Sequence, residues 1–121
     1  MGKDNKGLGK AGEETAVKFL EAKGFLILEK NFAVKSGEID IIAKRGETIH
    51  FIEVKTRTSV KFGTPAMAVN AAKQQKIIQT AEYYLRRYKL FDAPCSFDVA
   101  EVIKDMYGNF RIRIIENAFE E

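Results

Sequence analysis

Two stretches of this 121-residue chain carry charged side chains within runs that otherwise look like apolar strands. Residues 37–43 read Gly-Glu-Ile-Asp-Ile-Ile-Ala, and residues 48–57 read Thr-Ile-His-Phe-Ile-Glu-Val-Lys-Thr-Arg. Carboxylate oxygens are the ligands that hard divalent cations prefer, and a lysine beside them can stabilise a developing oxyanion. The sequence therefore predicts a divalent metal site, with the oxyanion that the metal would activate, formed by Glu38, Asp40, Glu53 and Lys55.

A hairpin would bring these two stretches together. Gly46 lies in a short polar connection between two β-branched runs, which indicates a tight turn. A turn centred on residues 45–46 pairs positions whose numbers sum to 91. This register predicts two cross-strand pairs, Glu38 with Glu53 and Asp40 with Phe51.

The charged residues of the hairpin are expected to share one face, because side chains alternate along a strand. Asp40 would then lie diagonal to Glu53 with about 7 to 8 Å between their backbones, close enough for both carboxylates to hold one ion. The alternative is an edge hairpin with a solvated polar face. We rank it lower, because the apolar residues Ile42, Ile49 and Phe51 would be exposed on that same face.

Residues 9–23 are predicted to form an amphipathic helix. At 100° per residue, Ala16, Val17 and Leu20 make an apolar stripe, and Glu13 projects into its centre whereas Glu14 lies at its flank. Glu13 is therefore expected to face the protein interior. The alternative is that Glu13 lies in the first helical turn, where the helix dipole favours an acid, and reaches water past the helix end.

The remaining elements follow from the same periodicities. We expect strands over residues 25–32, 37–44 and 48–56, then a helix from about Asn70 to Lys89. Gln74 extends the apolar stripe of this helix by one turn, and Lys73 lies on the shoulder of the stripe, which consists of Ile77, Ile78, Ala81, Tyr84, Leu85 and Tyr88. A last hairpin is expected over 97–103 and 110–115, around Gly108 and Asn109, with Phe110, Ile112 and Ile114 on one face of its second strand and Arg111 and Arg113 on the other. This order predicts an α/β sandwich with a mixed central β-sheet flanked by helices.

Charge is unevenly distributed along the chain. Residues 55–89 hold eight basic side chains and one acidic one, whereas residues 90–121 hold three basic and seven acidic ones. Affinity for nucleic acids comes largely from lysine and arginine, which release counterions from phosphates. We therefore expect phosphate contacts from Arg57, Lys61, Lys73 and Gln74, although charged runs are often simply solvated faces.

Length and composition favour a single domain over residues 1–121, with residues 1–8 as a flexible basic arm. No apolar stretch approaches the ~20 residues of a membrane span, and no signal peptide is recognisable. A single cysteine excludes an internal disulfide. These features predict a cytoplasmic protein that does not bind membranes. His50, the only histidine, should lie on the opposite strand face from Glu53 and serve a structural role.

Asp40 followed by Glu53-Val54-Lys55 resembles the PD-(D/E)xK signature of metal-dependent nucleases with the restriction-endonuclease-like fold, in which Ile39 replaces the usual proline. Glu13 matches the glutamate that Holliday-junction resolvases of that superfamily carry. Over most of its length the chain resembles the YraN-like family of small endonuclease-like bacterial proteins. The matching segments are 12–13, 23–25, 37–43, 51–57, 62–65 and 97–99.

The resemblance implies a three-layer sandwich and a nuclease that uses Mg²⁺ or Mn²⁺. Asp40 and Glu53, with the Val54 carbonyl as a further donor, would hold the metal, and Lys55 would stabilise the attacking water or the transition state. Glu13 would orient water or complete a second metal site, with Glu38 as a weaker candidate. DNA is favoured over RNA as the partner, in branched or flapped form, and a homodimer is one assembly that resolvases suggest.

Two other functions remain open at this level. The chain could be a nucleic-acid-binding module on a nuclease fold, or an interaction subunit that becomes active only with a partner. Retention of four chemically necessary groups favours the enzyme. Fold resemblance by itself does not establish an activity.

Overall fold

The computed structural model describes residues 2–58 and 69–120, and for residues 2–6 the helical backbone alone. It is an α/β structure in which one helix precedes three strands and a second helix precedes two more, as the sequence predicted. Residues 2–8, assigned above to an arm, lie within the first helix. In chain order the elements are α1 (Gly2–Ala22), β1 (Leu26–Val34), β2 (Gly37–Arg45), β3 (Thr48–Arg57), α2 (Ala71–Arg87), β4 (Cys95–Lys104) and β5 (Phe110–Phe119).

The five strands form one mixed sheet in the order β1-β2-β3-β4-β5. β3 and β4 run parallel because α2 carries the chain back between them, and every other neighbouring pair is antiparallel. Ala16 and Leu20 of α1 pack with Ile52 on one face of the sheet. Ile77 and Tyr84 of α2 pack on the other. The sheet therefore lies between two helical layers.

The β2–β3 hairpin has a different register from the predicted one. Arg45 pairs with Thr48, so paired positions sum to 93 and the loop consists of Gly46 and Glu47. Gly46 has a φ of 61°, in the left-handed region that favours glycine. The predicted pairs of Glu38 with Glu53 and of Asp40 with Phe51 are therefore wrong, because the turn lies one residue later than the polar cluster suggested.

The ladder between β2 and β3 stops at the pair Ile41–Ile52. Beyond this pair β2 continues on β1 alone, as far as Gly37, and β3 continues on β4 alone, as far as Arg57. The two strands separate there. Asp40 and Glu53 are the first residues past the last pair, and they lie at the opening of the resulting cleft.

Strand alternation is interrupted at Asp40. Ile39 packs in the cluster on the α2 side, whereas Ile41, only two residues later, packs on the α1 side. Asn31, on the neighbouring strand β1, has a φ of 52°. The expectation that Asp40 shares a regular sheet face with Ile42 is therefore wrong, since the backbone turns over at this point.

Neither α1 nor α2 is long and apolar enough to cross a membrane.

Candidate functional site

Asp40 connects the two separating strands. Its Oδ2 accepts a hydrogen bond from the Val54 backbone N–H at 2.8 Å, so a side chain takes the place of a backbone partner where the ladder has ended. The Asp40 side chain also hydrogen-bonds Glu53, which is only 5% exposed. The structure thus brings the side chains of the two predicted carboxylates into direct contact.

Two lysines balance this acidic pair. Lys73, in the first turn of α2, forms an ion pair with Glu53 Oε2. Lys55 Nζ lies 4.0 Å from the same oxygen. Asn70 caps α2 by accepting the Lys73 N–H at 2.9 Å, which fixes the helix end from which Lys73 reaches the cleft.

The pKa values of the two carboxylates are shifted in opposite directions. Burial, reinforced by the neighbouring Glu53, raises the pKa of Asp40 to about 8. Burial acts in the same direction on Glu53, but the hydrogen bond from Asp40 and the Lys73 ammonium together lower the pKa of Glu53. The pair therefore holds one proton near neutral pH, on Asp40, which donates it to the Glu53 carboxylate.

The lysines are shifted in opposite directions. Burial and the nearby Lys73 ammonium lower the pKa of Lys55. Burial also acts to lower the pKa of Lys73, but contact with Glu53 outweighs it and raises that pKa. Lys73 is thus the cation that neutralises Glu53, whereas Lys55 is the more easily deprotonated amine.

Glu13 reaches the site because α1 passes very close to β3. A Cβ at Gly12 would lie 2.0 Å from Thr56 Oγ1, so only glycine allows this approach. Glu13 follows directly and is half-buried, with its side chain hydrogen-bonded to Asn31. Burial raises the pKa of Glu13, and the charges of Glu38 and Glu53 raise it further.

These groups line a common open cavity of about 340 Å³ between α1, the β2–β3 cleft and the start of α2. Glu13, Asp40 and Glu53 present carboxylate oxygens to this cavity, and a hard cation such as Mg²⁺ or Mn²⁺ prefers oxygen ligands. Such a cation would replace two positive charges, the proton on Asp40 and the Lys73 ammonium that pairs with Glu53. The residues present therefore fit a divalent metal. The cavity is lined by Leu8, Gly9, Glu13, Asp40, Glu53, Val54, Thr56 and Lys73.

The other predicted residues divide into several groups. Glu38 is exposed and affects the cavity through the field it exerts on Glu13. Gln74 donates to the Val69 carbonyl at 2.7 Å, an interaction at the start of α2. Arg57 is half-buried at the end of β3. Lys61 lies outside the described residues. The matching segment 62–65 does too, and with it the short helical turn that Thr64 and Pro65 predict as N-cap and first helical residue.

His50 lies on the α1 side of the sheet, where its ring packs edge-on against Phe25. Its Nδ1 is 2.6 Å from Asp98 Oδ2, and both residues are buried. Asp98 also receives the Ser96 hydroxyl and the Asn117 N–H. This is a satisfied polar network that joins β3, β4 and β5, consistent with the structural role expected for His50.

Ligand atoms of His50, Asp98 and Glu116 all lie within 4.8 Å of one another, and within the described ranges 2–58 and 69–120 they are the group of three with that property. The predicted set of Glu13, Asp40 and Glu53 is less tightly gathered. In the His50 group, however, His50 Nδ1 and both Asp98 carboxylate oxygens are hydrogen-bonded, and Glu116 Oε1 pairs with Arg45 at 2.7 Å.

The sequence predicted that Lys73 contacts phosphates, and it did not predict the ion pair that Lys73 forms with Glu53. It missed the bond from Val54 N–H to Asp40 altogether. For the ion pair, the position of Lys73 on the shoulder of the α2 stripe was the available sequence signal. For the hydrogen bond there was none, because it depends on where the β2–β3 ladder ends.

Comparison with known proteins assigns the chain to a family. A family model described as uncharacterised protein family UPF0102 matches residues 12–102, a range that includes Glu13, the β2–β3 cleft and most of β4. The chain belongs to the UPF0102 family.

UPF0102 proteins of several bacteria resemble the chain over nearly their whole length. One from Symbiobacterium thermophilum is 46% identical over 112 residues, covering 93% of this chain and 95% of the relative. One from Caldicellulosiruptor saccharolyticus is 48% identical over 113 residues, covering 93% and 96%. One from Clostridium perfringens is 52% identical over 102 residues, covering 84% of each.

Proposed function

We propose that this protein is a cytoplasmic, metal-dependent nuclease of the PD-(D/E)xK type, with a restriction-endonuclease-like fold, that hydrolyses phosphodiester bonds of DNA. The observation that supports this most is the Asp40–Glu53 pair at the point where β2 and β3 separate. A buried acid in contact with a half-buried one destabilises a fold unless a cation or a proton is held between them. Such a cost is typical of a functional site.

Asp40 and Glu53 would hold Mg²⁺ or Mn²⁺, with Glu13 as the third carboxylate of the cavity. When bound, the metal would polarise the scissile phosphate and lower the pKa of a water ligand. Val54 N–H keeps Asp40 oriented toward Glu53. Lys73, which pairs with Glu53 here, would be placed to contact a phosphate oxygen once Glu53 held a metal.

Lys55 has a separate role in this proposal. It lies two residues after Glu53 on the same strand face and is partly withdrawn from water, with a side chain 26% exposed. An ammonium in such a place stabilises charge that develops on the phosphate more strongly than charge already present in the substrate. Lys55 would therefore lower the barrier for the chemical step.

The direct test incubates the purified protein with labelled linear, flapped and branched DNA and with matched RNA, in Mn²⁺ or in EDTA. We expect cleavage of at least one DNA substrate in Mn²⁺, none in EDTA, and none by Asp40→Asn prepared in parallel. Cleavage that survives Asp40→Asn would identify a contaminating nuclease. Binding without cleavage by the parent would favour a non-catalytic nucleic-acid-binding module.

Glu13 and Glu14 provide a matched pair of substitutions. Glu13 lines the cavity and hydrogen-bonds Asn31, whereas Glu14 is exposed on the adjacent helix flank. Residues that support a metal site typically contribute about ten- to a hundredfold in affinity or activity. We therefore expect Glu13→Gln to reduce the initial rate of Mn²⁺-dependent cleavage by that amount and Glu14→Gln to leave it unchanged. Equal losses would show that α1 does not contribute Glu13 specifically.

A further inference from the structure

The β4–β5 hairpin extends from the same edge of the sheet as the acidic pair. β3 and β4 are parallel, so their carboxyl ends lie side by side, and Lys55 and Arg57 pair with Glu101 and Ile103. β4 continues to Lys104 before the chain turns back into β5. The tip of this hairpin therefore lies beyond the strand ends that form the site.

The turn at the tip is well ordered by its own hydrogen bonds. Asp105 Oδ1 accepts the N–H groups of Tyr107 and Asn109, each at 2.9 Å. The Asp105 N–H donates to the Asn109 carbonyl at 2.8 Å, and Gly108 adopts a φ of 83°. The conformation of this turn is therefore fixed without any help from the side chains of residues 106 and 107.

Two large apolar side chains are held in water by this turn. Met106 is 86% exposed and Tyr107 is 82% exposed. Ordering a backbone so that an aromatic ring stays in solvent brings no gain in folding free energy. Rigid, exposed aromatic rings at a turn are suited to stacking a partner that presents a flat face.

Basic side chains lead from the site to this tip. Across the sheet, Lys55 is beside Glu101, and Glu101 is beside Arg113, so the three form one row. In the next row Arg57 is beside Ile103, which is beside Arg111. Neighbouring strands lie about 4.8 Å apart, which places Arg113 about 10 Å across the sheet from Lys55. This spacing is suited to successive contacts along one phosphate backbone.

Glu101 fixes the position of Arg113. It is only 1% exposed, and its Oε1 accepts Arg113 Nε at 2.9 Å, while 61% of the Arg113 side chain remains in solvent. Among the described residues no hydrogen-bond donor reaches its other oxygen, Oε2. Burying a carboxylate that is only half satisfied costs stability. Its effect is to hold a guanidinium at the wall of an open cavity of about 500 Å³.

We propose that the β4–β5 hairpin binds unpaired nucleotides, with Arg111 and Arg113 on phosphates and Tyr107 stacked on a base. The inference rests on the proposed nuclease function and specifies its substrate class. A base inside a duplex is already stacked on both faces, so a protruding ring gains a partner only where bases are unpaired. The preferred substrates are therefore flapped, branched or single-stranded nucleic acids rather than blunt duplexes.

The test measures binding by fluorescence anisotropy in EDTA, so that no cleavage occurs, with a labelled 20-nucleotide strand and with the same sequence as a blunt duplex. Tyr107→Ala should weaken binding of the single strand about tenfold or more and leave duplex binding nearly unchanged, and Tyr107→Phe should restore the parental affinity. Arg113→Ala should reduce the slope of log affinity against log salt by about 0.7 on the single strand.

Matched controls come from the far end of the sheet and of α2. Phe91 is also an exposed aromatic residue, at 68%, and Arg86 is a basic residue in the last turn of α2. Phe91→Ala and Arg86→Ala should bind as the parent does. Tyr107→Ala that binds like Phe91→Ala, or that loses as much affinity for the blunt duplex, would overturn the proposal.

For Glu101→Gln, the direction of the change in single-strand affinity tests whether Glu101 positions Arg113. Removing a negative charge near the phosphates would tighten binding if charge alone mattered, whereas loss of the anchor for Arg113 should weaken it. We expect weaker binding, with thermal unfolding used to verify that the variant is folded. Tighter binding would show that Glu101 does not position Arg113.

The two proposals can fail separately. If the parent cleaves DNA in Mn²⁺ but Tyr107→Ala binds the single strand normally, the hairpin proposal is wrong and the nuclease proposal stands. If single-strand binding depends on Tyr107 but no substrate is cleaved, the nuclease proposal fails and the hairpin proposal stands.

Discussion

Asp40→Asn is expected to unfold at a higher temperature than the parent at pH 8 in EDTA, even though it removes the central carboxylate of the site. Burial against Glu53 raises the pKa of Asp40 to about 8, whereas in the unfolded chain it has the ordinary value near 3.8. Asparagine resembles the protonated acid and keeps an oxygen that can accept the Val54 N–H. It avoids the cost of taking up a proton on folding at a pH where the unfolded chain has lost that proton.

The sign of the pH dependence follows from this shift. Between about pH 4 and pH 8 the unfolded chain has lost the Asp40 proton and the folded chain retains it. Folding then takes up a proton, so this group's contribution to stability is complete below about pH 4 and is lost as pH rises toward 8. The advantage of Asp40→Asn should therefore be near zero at pH 4 and grow steadily up to pH 8.

A shift of about four pKa units would correspond to about 5 kcal/mol at most. Because Glu53 and Lys73 share the charge, we expect about 2 kcal/mol in the free energy of unfolding, or about 8 °C in midpoint. Urea and thermal unfolding across this pH range would measure it. Asp92→Asn, the same change at an exposed loop aspartate, is the control and should show no such trend. A constant difference between Asp40→Asn and the parent would contradict the proposed protonation of the pair.

Mn²⁺ should make the parent more stable than Asp40→Asn, the reverse of the order expected in EDTA. The parent should gain midpoint temperature with Mn²⁺ by mass action, and Asp40→Asn should not. Since the metal displaces the proton on Asp40, apparent affinity should rise with pH, by up to tenfold per unit, until Asp40 is ionised near pH 8. Calorimetry in buffers of different ionisation enthalpy would detect the released proton. Absence of any Mn²⁺ effect at millimolar concentration would exclude the proposed metal site.

Lys55→Ala is expected to reduce turnover by about a hundred- to a thousandfold at saturating substrate, with nearly parental affinity. Lys55 lies 4.0 Å from Glu53 and is positioned to act on charge that appears only during the reaction. Single-turnover cleavage, measured alongside anisotropy binding in EDTA, separates the two effects.

Lys44→Ala is a matched control, because Lys44 is also a half-buried strand lysine but lies at the opposite end of the β2–β3 hairpin. It should retain parental turnover and affinity. If Lys55→Ala lost affinity in proportion to rate, Lys55 would be a phosphate-binding residue and the assigned transition-state role would be wrong.

The sequence by itself determined the order of elements and much of the inward-facing set. Hydrophobic spacing in α2 predicted most of its buried stripe. Ile77, Ile78, Ala81 and Tyr84 are buried there, whereas Tyr88, predicted at the end of the stripe, is 46% exposed because α2 ends at Arg87. Alternation in β5 predicted that Phe110, Ile112 and Ile114 would pack and that Arg111 and Arg113 would not, as observed. These features depend on side chains close in sequence, whose periodicity is set by helix and strand geometry.

The register of the first hairpin could not be fixed in the same way. A polar cluster of four residues permits more than one turn position, and the choice of Gly46 and Glu47 depends on how β1 and β4 pair with the strands on either side. Asp40 and Glu53 were nevertheless predicted to be neighbours, because they are diagonal under a paired sum of 91 and directly follow the last pair, Ile41–Ile52, under the observed sum of 93.

Only the tertiary structure decided how the site is assembled. The separation of β2 from β3, the turnover of the strand at Asp40 and the Lys73–Glu53 ion pair each require segments far apart in sequence to meet. Tyr107, Arg113 and Lys55 come to one edge only because β3 and β4 are parallel. Residues 90–121 are acidic when charges are counted along the chain. Strand pairing across the sheet nevertheless places Arg111 and Arg113 of this segment beside the site. Local sequence sets which face a residue presents, and long-range pairing sets which residues share that face.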